Sequence, residues 1–394
     1  MAKYDFDTVV ERRGTSCLKH DFKAERGYKD DVLPLWVADM DFPTAPEIVE
    51  AVRRVADHGI FGYTYPKEDH YRAVLDWYDK HFDYRPDKRS IVLTPGVVFA
   101  ISAAVRAFTN EGDAVLIQPP VYYPFFSVVT ENNRRLVENE LLYSGGRYTI
   151  DFEDFERKIE ENDVKLFILC SPHNPVGRVW TSDELGRLGE ICKRHGVLVI
   201  SDEIHSDFTR QGHSHTVFTN ACPDLRDSTI ICTAPSKSWG LAGLQISHIF
   251  IENRELRRRF KAILSAQGYT EYNITGLAAA KAAYLSGGPW LDRCRDYIEG
   301  NYLYLEQFLK ERLPQLRLVE AEGTYFAWID FSALGLDKQG LNDLIIKKAS
   351  LWLDAGHIFS ERSEQFQRIV LACPRSILER ALDRLEKAIK EELK

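Results

Sequence analysis

Short runs of apolar residues recur along this chain, at Ile91–Leu93, Ala114–Ile117, Leu166–Cys170, Val197–Ser201, Ile230–Thr233 and His248–Ile251, with helical stretches between them. A strand exposed on one side alternates apolar and polar residues, whereas a strand covered on both faces is apolar nearly throughout. Several of these runs are of the second kind. Doubly covered strands alternating with helices, from about residue 44 to residue 290, predict an α/β fold with a mostly parallel sheet flanked by helices. The chain has 394 residues, 44% of them hydrophobic, which is enough for one large core and a smaller second domain.

The first large-domain helix is expected to open at Thr44-Ala-Pro-Glu47, read as a capping box, and to run to about His58. After Gly287-Gly288-Pro289 the pattern changes. A long helical stretch covers about Trp290 to Leu313, strand-like segments follow at Tyr325–Phe331 and Gln367–Ala372, and a charged helix runs from about Arg375 to Lys394. This predicts a smaller α+β domain, with the Gly-Gly-Pro as the boundary. The net charge of −8, with both signs mixed along the chain, offers no basic surface for nucleic acid. No apolar run approaches the ~20 residues of a membrane span. The segment Met1–Asp31 is charged throughout and lacks the apolar core of a signal peptide, so the expected setting is cytoplasmic. Seven widely spaced cysteines without a CxxC fit neither a disulfide framework nor a metal site and are expected to be buried thiols.

The chemistry gathers where the predicted strands end. In doubly wound sheets, ligands bind outside the carboxyl ends of the strands. Leu166–Cys170 runs into Ser171-Pro-His-Asn-Pro-Val-Gly177, and Val197–Ser201 into Asp202-Glu-Ile-His205. Ile230–Thr233 runs into Ala234-Pro-Ser-Lys237-Ser-Trp-Gly-Leu-Ala-Gly243, and Ile91–Leu93 into Thr94-Pro-Gly-Val-Val98 at the start of a helix. One sheet edge thus collects an Asn, an Asp, a Lys, a Ser and a helix N-terminus. A lysine amine forms a Schiff base with an aldehyde cofactor. A carboxylate facing a pyridine nitrogen keeps that nitrogen protonated and makes the ring an electron sink. An Asn amide donates to a phenolate, and helix-terminal N–H groups with a hydroxyl bind phosphate.

With those residues in that order, the chain resembles the fold-type I pyridoxal-5′-phosphate (PLP) enzymes of the class I/II aminotransferase superfamily. Pro34-Leu-Trp-Val-Ala-Asp-Met-Asp-Phe-Pro43, Phe61-Gly-Tyr63, Pro120-Val-Tyr-Tyr-Pro-Phe125 and Ala372-Cys-Pro-Arg375 are similar to the cystathionine β-lyase or C–S lyase branch. The resemblance implies the aspartate aminotransferase fold, with a mostly parallel seven-stranded sheet. It implies a large PLP-binding domain over residues 44–288 and a small domain made of residues 1–43 and 289–394.

It also implies roles for individual residues. Lys237 is the Schiff-base lysine and proton shuttle. Asp202 pairs with the pyridine nitrogen, Asn174 binds the phenolate oxygen, and Tyr122 stacks on the ring. Val97 and Val98 through their backbone amides, and Ser236 through its hydroxyl, hold the phosphate, and Tyr63 reaches the phosphate of a neighbouring subunit in a homodimer. Arg375 clamps the substrate α-carboxylate, with a backbone N–H of Ala38 beside it. Two positions depart from the aminotransferase pattern: Gln245 stands where a phosphate-supporting arginine is usual, and His205 stands in place of a phenolate-holding tyrosine, bordering the cofactor. Both suit the lyase branch. No role is expected for His213, His215 or His357.

The leading expectation is β-elimination from cystathionine or another cysteine S-conjugate to a thiol, pyruvate and ammonia. An aminotransferase for aromatic or other large amino acids is the alternative. A third reading, a regulator that binds PLP or a partner protein without turnover, has against it an intact set of Lys237, Asp202 and Asn174.

Overall fold

The apolar runs become the strands of one seven-stranded sheet. The computed structural model describes residues 4–394. The strands are β1 (Ile91–Thr94), β2 (Ala114–Ile117), β3 (Arg135–Glu138), β4 (Val164–Cys170), β5 (Leu198–Asp202), β6 (Thr229–Thr233) and β7 (Ser247–Phe250), and they lie side by side in the order β1-β7-β6-β5-β4-β2-β3. β7 runs antiparallel to both its neighbours, and the other pairs are parallel. Alternate residues feed two separate cores: Leu116, Phe167, Leu169 and Val199 pack on one face, while Val115, Leu166, Ile168 and Ile200 pack on the other. Double coverage is what the unbroken apolar runs require.

β3 was not anticipated. It is an edge strand with exposed Arg135 at one end and half-buried Glu138 at the other, and charge at an edge blocks unwanted pairing while hiding the strand signal. The expected capping box at Thr44 does not form. The helix begins at Pro46 and runs to His58, with Ala45 as N-cap and no side-chain cap bond. Pro46 at the first helical position has no N–H to satisfy, and this start leaves Glu47 one place short of the box geometry. A capping box does form at Thr181 and Glu184, ahead of the helix Ser182–His195.

A second, antiparallel sheet contains β8 (Arg317–Leu318), β9 (Phe326–Asp330), β10 (Asp354–Ala355) and β11 (Phe366–Val370), in the order β8-β9-β11-β10. The helices Gly288–Arg312 and Arg375–Glu392 accompany it. The N-terminal segment runs beside the second sheet, where the Val370 N–H donates to the Leu35 carbonyl at 3.0 Å. Leu33–Pro34 pairs in parallel with Leu351–Trp352, and the Asp41 N–H donates to the Ala372 carbonyl at 3.0 Å. All seven cysteines are buried and unpaired. Among the described residues no helix is long and apolar enough to cross a membrane.

Candidate active site

The carboxyl ends of β1, β4, β5 and β6 open into one pocket of about 190 Å³. Its lining includes Ala38, Val97, Val98, Tyr122, Asn174, Asp202, His205, Ser236 and Lys237, so nearly every residue singled out in the sequence converges there. Lys237 sits on the single helical turn Pro235–Ser238 that follows β6. Its Nζ donates to the Ala38 carbonyl at 2.9 Å. Burial disfavours the ammonium and brings this amine down to about 8, within reach of a proton-transfer role near neutral pH.

Asp202 ends β5 and is 4% exposed. Burial pushes its carboxyl up to about 7, and the Ile204 N–H, donating to Oδ1 at 3.2 Å, offsets little of that. A carboxylate so placed gains most from a cationic partner inside the pocket. Its neighbour Glu203 points to the opposite face of the sheet, where it accepts from the Ser201 hydroxyl, the Phe218 N–H and His215. His205 is buried and held well below its usual range by burial, with Lys237 and Arg368 adding to the effect, so it presents a neutral imidazole.

Asn174 is oriented by an arginine. Arg368 on β11 donates from Nη1 to Asn174 Oδ1 at 2.8 Å, and since an arginine only donates, the amide NH2 of Asn174 is left for the pocket. The loop carrying Asn174 closes on Gly177, whose φ of +75° and whose approach to Ala321, 2.8 Å from where a Cβ would stand, both require glycine. At the far wall, Gly96 caps the helix Val97–Phe108, and the first N–H groups of that helix have no intrahelical acceptor. The turn bearing Lys237 is fixed by Asp207, which accepts from Ser238 Oγ and, at 3.2 Å, from Trp77 Nε1.

Two expected residues lie elsewhere. Arg375, the first residue of the last helix, donates from Nε to Asn301 Oδ1 at 2.7 Å and stacks over the Tyr304 ring at 4.6 Å, away from the pocket lining. Its place is corrected to that of a helix-start residue tied to the neighbouring helix. The arginine that faces the pocket residues is Arg368, 2% exposed, which also donates to the Trp36 carbonyl at 2.7 Å and pairs with Asp354. Its Nε has no acceptor among the described residues. Tyr63 is 92% exposed on the extended segment after the first helix and touches nothing in the pocket of its own chain.

Sequence reading missed Arg368, Asp354, Asp207 and Tyr325, whose hydroxyl donates to the Ala38 carbonyl at 3.3 Å. Asp207 was within reach, as a charged residue shortly after a strand end. Arg368 and Asp354 lie on short strands of the second sheet and become neighbours only through pairing of β10 with β11. The donor set suits PLP: a buried carboxylate for a cationic ring nitrogen, an amide NH2, an aromatic face at Tyr122, a lysine amine, and a helix N-terminus with the Ser236 hydroxyl for phosphate.

Residues 30–385 match the family model of aminotransferase class I and II. The chain is 43% identical to cystathionine beta-lyase PatB of Bacillus subtilis, over 98% of its own length and 100% of that protein. Cystalysin of Treponema denticola, solved with pyridoxal 5′-phosphate, superposes with a TM-score of 0.96 at 39% identity, covering 99% of this chain and 100% of that one. A PLP-bound C–S lyase of Staphylococcus hominis gives 0.92 at 33% identity, covering 98% of each chain.

Proposed function

The chain belongs to the class I and II aminotransferase family, and on that premise we propose that it is a PLP-dependent carbon–sulfur β-lyase. Its substrates are sulfur amino acids such as cystathionine or other cysteine S-conjugates, and its products are a thiol, pyruvate and ammonia. The observation that carries this reading is the convergence of Lys237, Asp202 and Asn174 on one pocket in a chain similar along its whole length to PatB.

PLP, when bound, supplies an aldehyde and an electron-withdrawing ring that accepts the electron pair released at the substrate Cα. Lys237 would hold the cofactor through its amine, and its Nζ is the base placed to take the substrate Cα proton. Asp202, ionised, would keep a proton on the ring nitrogen. Asn174 would donate to the phenolate oxygen, Tyr122 would offer its aromatic face to the ring, and Val97, Val98 and Ser236 would hold the phosphate. Arg368 takes the role expected of Arg375: it binds the substrate α-carboxylate, aimed by Asn174 and Asp354. Loss of the β-thiolate and uptake of water then balance the reaction.

The two-domain division at residue 288 belongs to this proposal, as does a homodimer in which Tyr63 serves the partner's phosphate site. The 92% exposure of Tyr63, beside exposed Ile60 and Phe61, supports the latter. A cytoplasmic setting suits seven unpaired thiols. Turnover of the holoenzyme with cystathionine tests the reaction, with pyruvate assayed in one arm and, after addition of 2-oxoglutarate, glutamate in the other. Pyruvate in step with thiol is the expected result, and glutamate without pyruvate would replace the lyase by the aminotransferase.

A further inference from the structure

Whatever fixes Ala38 fixes the surroundings of Lys237, because the Lys237 amine and the Tyr325 hydroxyl both donate to the Ala38 carbonyl. Ala38 belongs to neither sheet. It lies on the strap that follows Leu33–Pro34, and the strap is gripped from the N-terminal side. Arg12 Nη1 donates to Asp41 Oδ1 at 2.9 Å and to the Met40 carbonyl at 3.3 Å, and its other Nη pairs with Asp39. Lys19, whose side chain is fully buried, donates to Asp41 Oδ2 at 2.6 Å and to the Asp39 carbonyl at 3.2 Å. His20 Nε2 stands 3.8 Å from Asp41.

Burial works against charge in this cluster, yet Asp39 and Asp41 hold the Arg12 guanidinium above its ordinary range, and Lys19, His20 and Arg12 hold the Asp41 carboxyl below its own. Lys19 and Asp41 are the buried part of the cluster, and Arg12 and Asp39 are half-buried at its edge. A buried ion pair is seldom a net gain in stability over an apolar one, and its best-attested use is to specify geometry. Neither cation lines the pocket. Both act on the carboxylates and carbonyls immediately after Ala38.

We propose that Arg12 and Lys19 are positioning residues of the active site, which clamp Asp39 and Asp41 and thereby hold the Ala38 backbone against the reacting lysine and the substrate carboxylate. The inference rests on the reading of Lys237 as the cofactor lysine. The groups that face Lys237 are Asp39 and Asp202, Arg368, neutral His205, and the phenols of Tyr122 and Tyr325. Of these, only Asp39 is paired with Arg12. Removing Arg12 both loosens the strap and leaves the Asp39 carboxylate without its cation beside the lysine nitrogen, where it favours the protonated form.

The test uses the holoenzyme, with two readouts: the pH midpoint of the visible absorbance change of the bound cofactor, and the separate values of KM and kcat on a cysteine S-conjugate. Arg12→Gln is expected to raise the midpoint by roughly half a pH unit and to raise KM about fivefold, more than kcat falls. Arg12→Lys restores part of both. Asp39→Asn keeps a hydrogen bond to Arg12 while removing the charge, and the midpoint then moves down. A folded, cofactor-loaded Arg12→Gln protein with unchanged midpoint and KM overturns the proposal. So does an upward or absent shift in Asp39→Asn, which decides the matter if Arg12→Gln does not fold. Covalently attached cofactor in Lys237→Ala would instead overturn the lysine assignment on which the inference rests.

Discussion

On the proposed reading, the cofactor side and the carboxylate side of the pocket are built in different ways. Lys237, Asp202, Asn174 and the helix start at Val97 each follow directly from a strand of one sheet, so a few consecutive residues carry both the element and the functional group. The carboxylate side is composite: Arg368 comes from β11, Asp354 from β10, and Ala38 and Trp36 from a strap anchored near the N-terminus. The first kind of site is a property of local sequence. The second exists only after distant segments have packed. On the proposed reading, damage to the first should appear in kcat and damage to the second in KM.

The largest effect is expected on the cofactor side. Lys237→Ala should lose essentially all turnover, and borohydride should no longer fix cofactor mass on the peptide containing Ala234–Leu241, as seen by mass spectrometry. Asp202→Ala should lower kcat more than a hundredfold, at least ~3 kcal/mol of barrier, because the charge that stabilises the ring in the transition state is gone. Near-normal turnover in that variant, measured under PLP saturation, would dissolve the contrast between the two sides.

Next in size is a pair of arginine variants that sharpens it. Arg368→Ala removes a charge-assisted fork and should raise KM by roughly a hundredfold, about 3 kcal/mol, with a smaller fall in kcat. Arg375→Ala removes a helix-to-helix tie to Asn301 and the stack on Tyr304, outside the pocket lining, and should change KM less than about threefold. Steady-state kinetics that reversed the two would return the carboxylate clamp to Arg375.

The smallest effect concerns a residue that belongs to neither side of its own chain. Tyr63→Phe should weaken PLP retention about tenfold, roughly 1.5 kcal/mol for one hydrogen bond to phosphate, with thermal unfolding of the apoprotein unchanged. Mixing Lys237→Ala chains with Tyr63→Ala chains, under proven subunit exchange, should recover part of the activity through one intact site per heterodimer. No recovery would confine Tyr63 to the site of its own Lys237.

What could be read in the sequence divides along the same line. Double burial of the central strands writes itself as unbroken apolar runs, and strand ends mark the pocket, which is why Ile91, Leu166, Ile200 and Ile230 led to Val97, Asn174, Asp202 and Lys237. β3 escaped because an edge strand bearing Arg135 and Glu138 lacks the apolar signature. Arg368 escaped because Gln367 and Arg368, both buried, occupy a strand whose polar residues ordinarily face water. Arg375, beside a Cys-Pro at a helix start, resembled a site residue without lying in the site. Thr44 failed as a cap because Pro46 set the helix start one residue later.

Strand order also fixes when, during synthesis, a pocket can exist at all. β1, whose end leads into the helix on the phosphate side, pairs only with β7, and Thr94 and Ser247, whose hydroxyls meet at 2.6 Å, are 153 residues apart. Leu33–Pro34 waits longer still, for Leu351–Trp352. A chain emerging from the ribosome N-terminus first therefore carries β1 without its partner until β7 has been made, and its strap loose until residue 352 has been made. Contacts this distant in sequence close slowly, since the entropy of the loop must be overcome before they form. A pocket that needs both β1 and the strap is therefore completed only after residue 352 has been made.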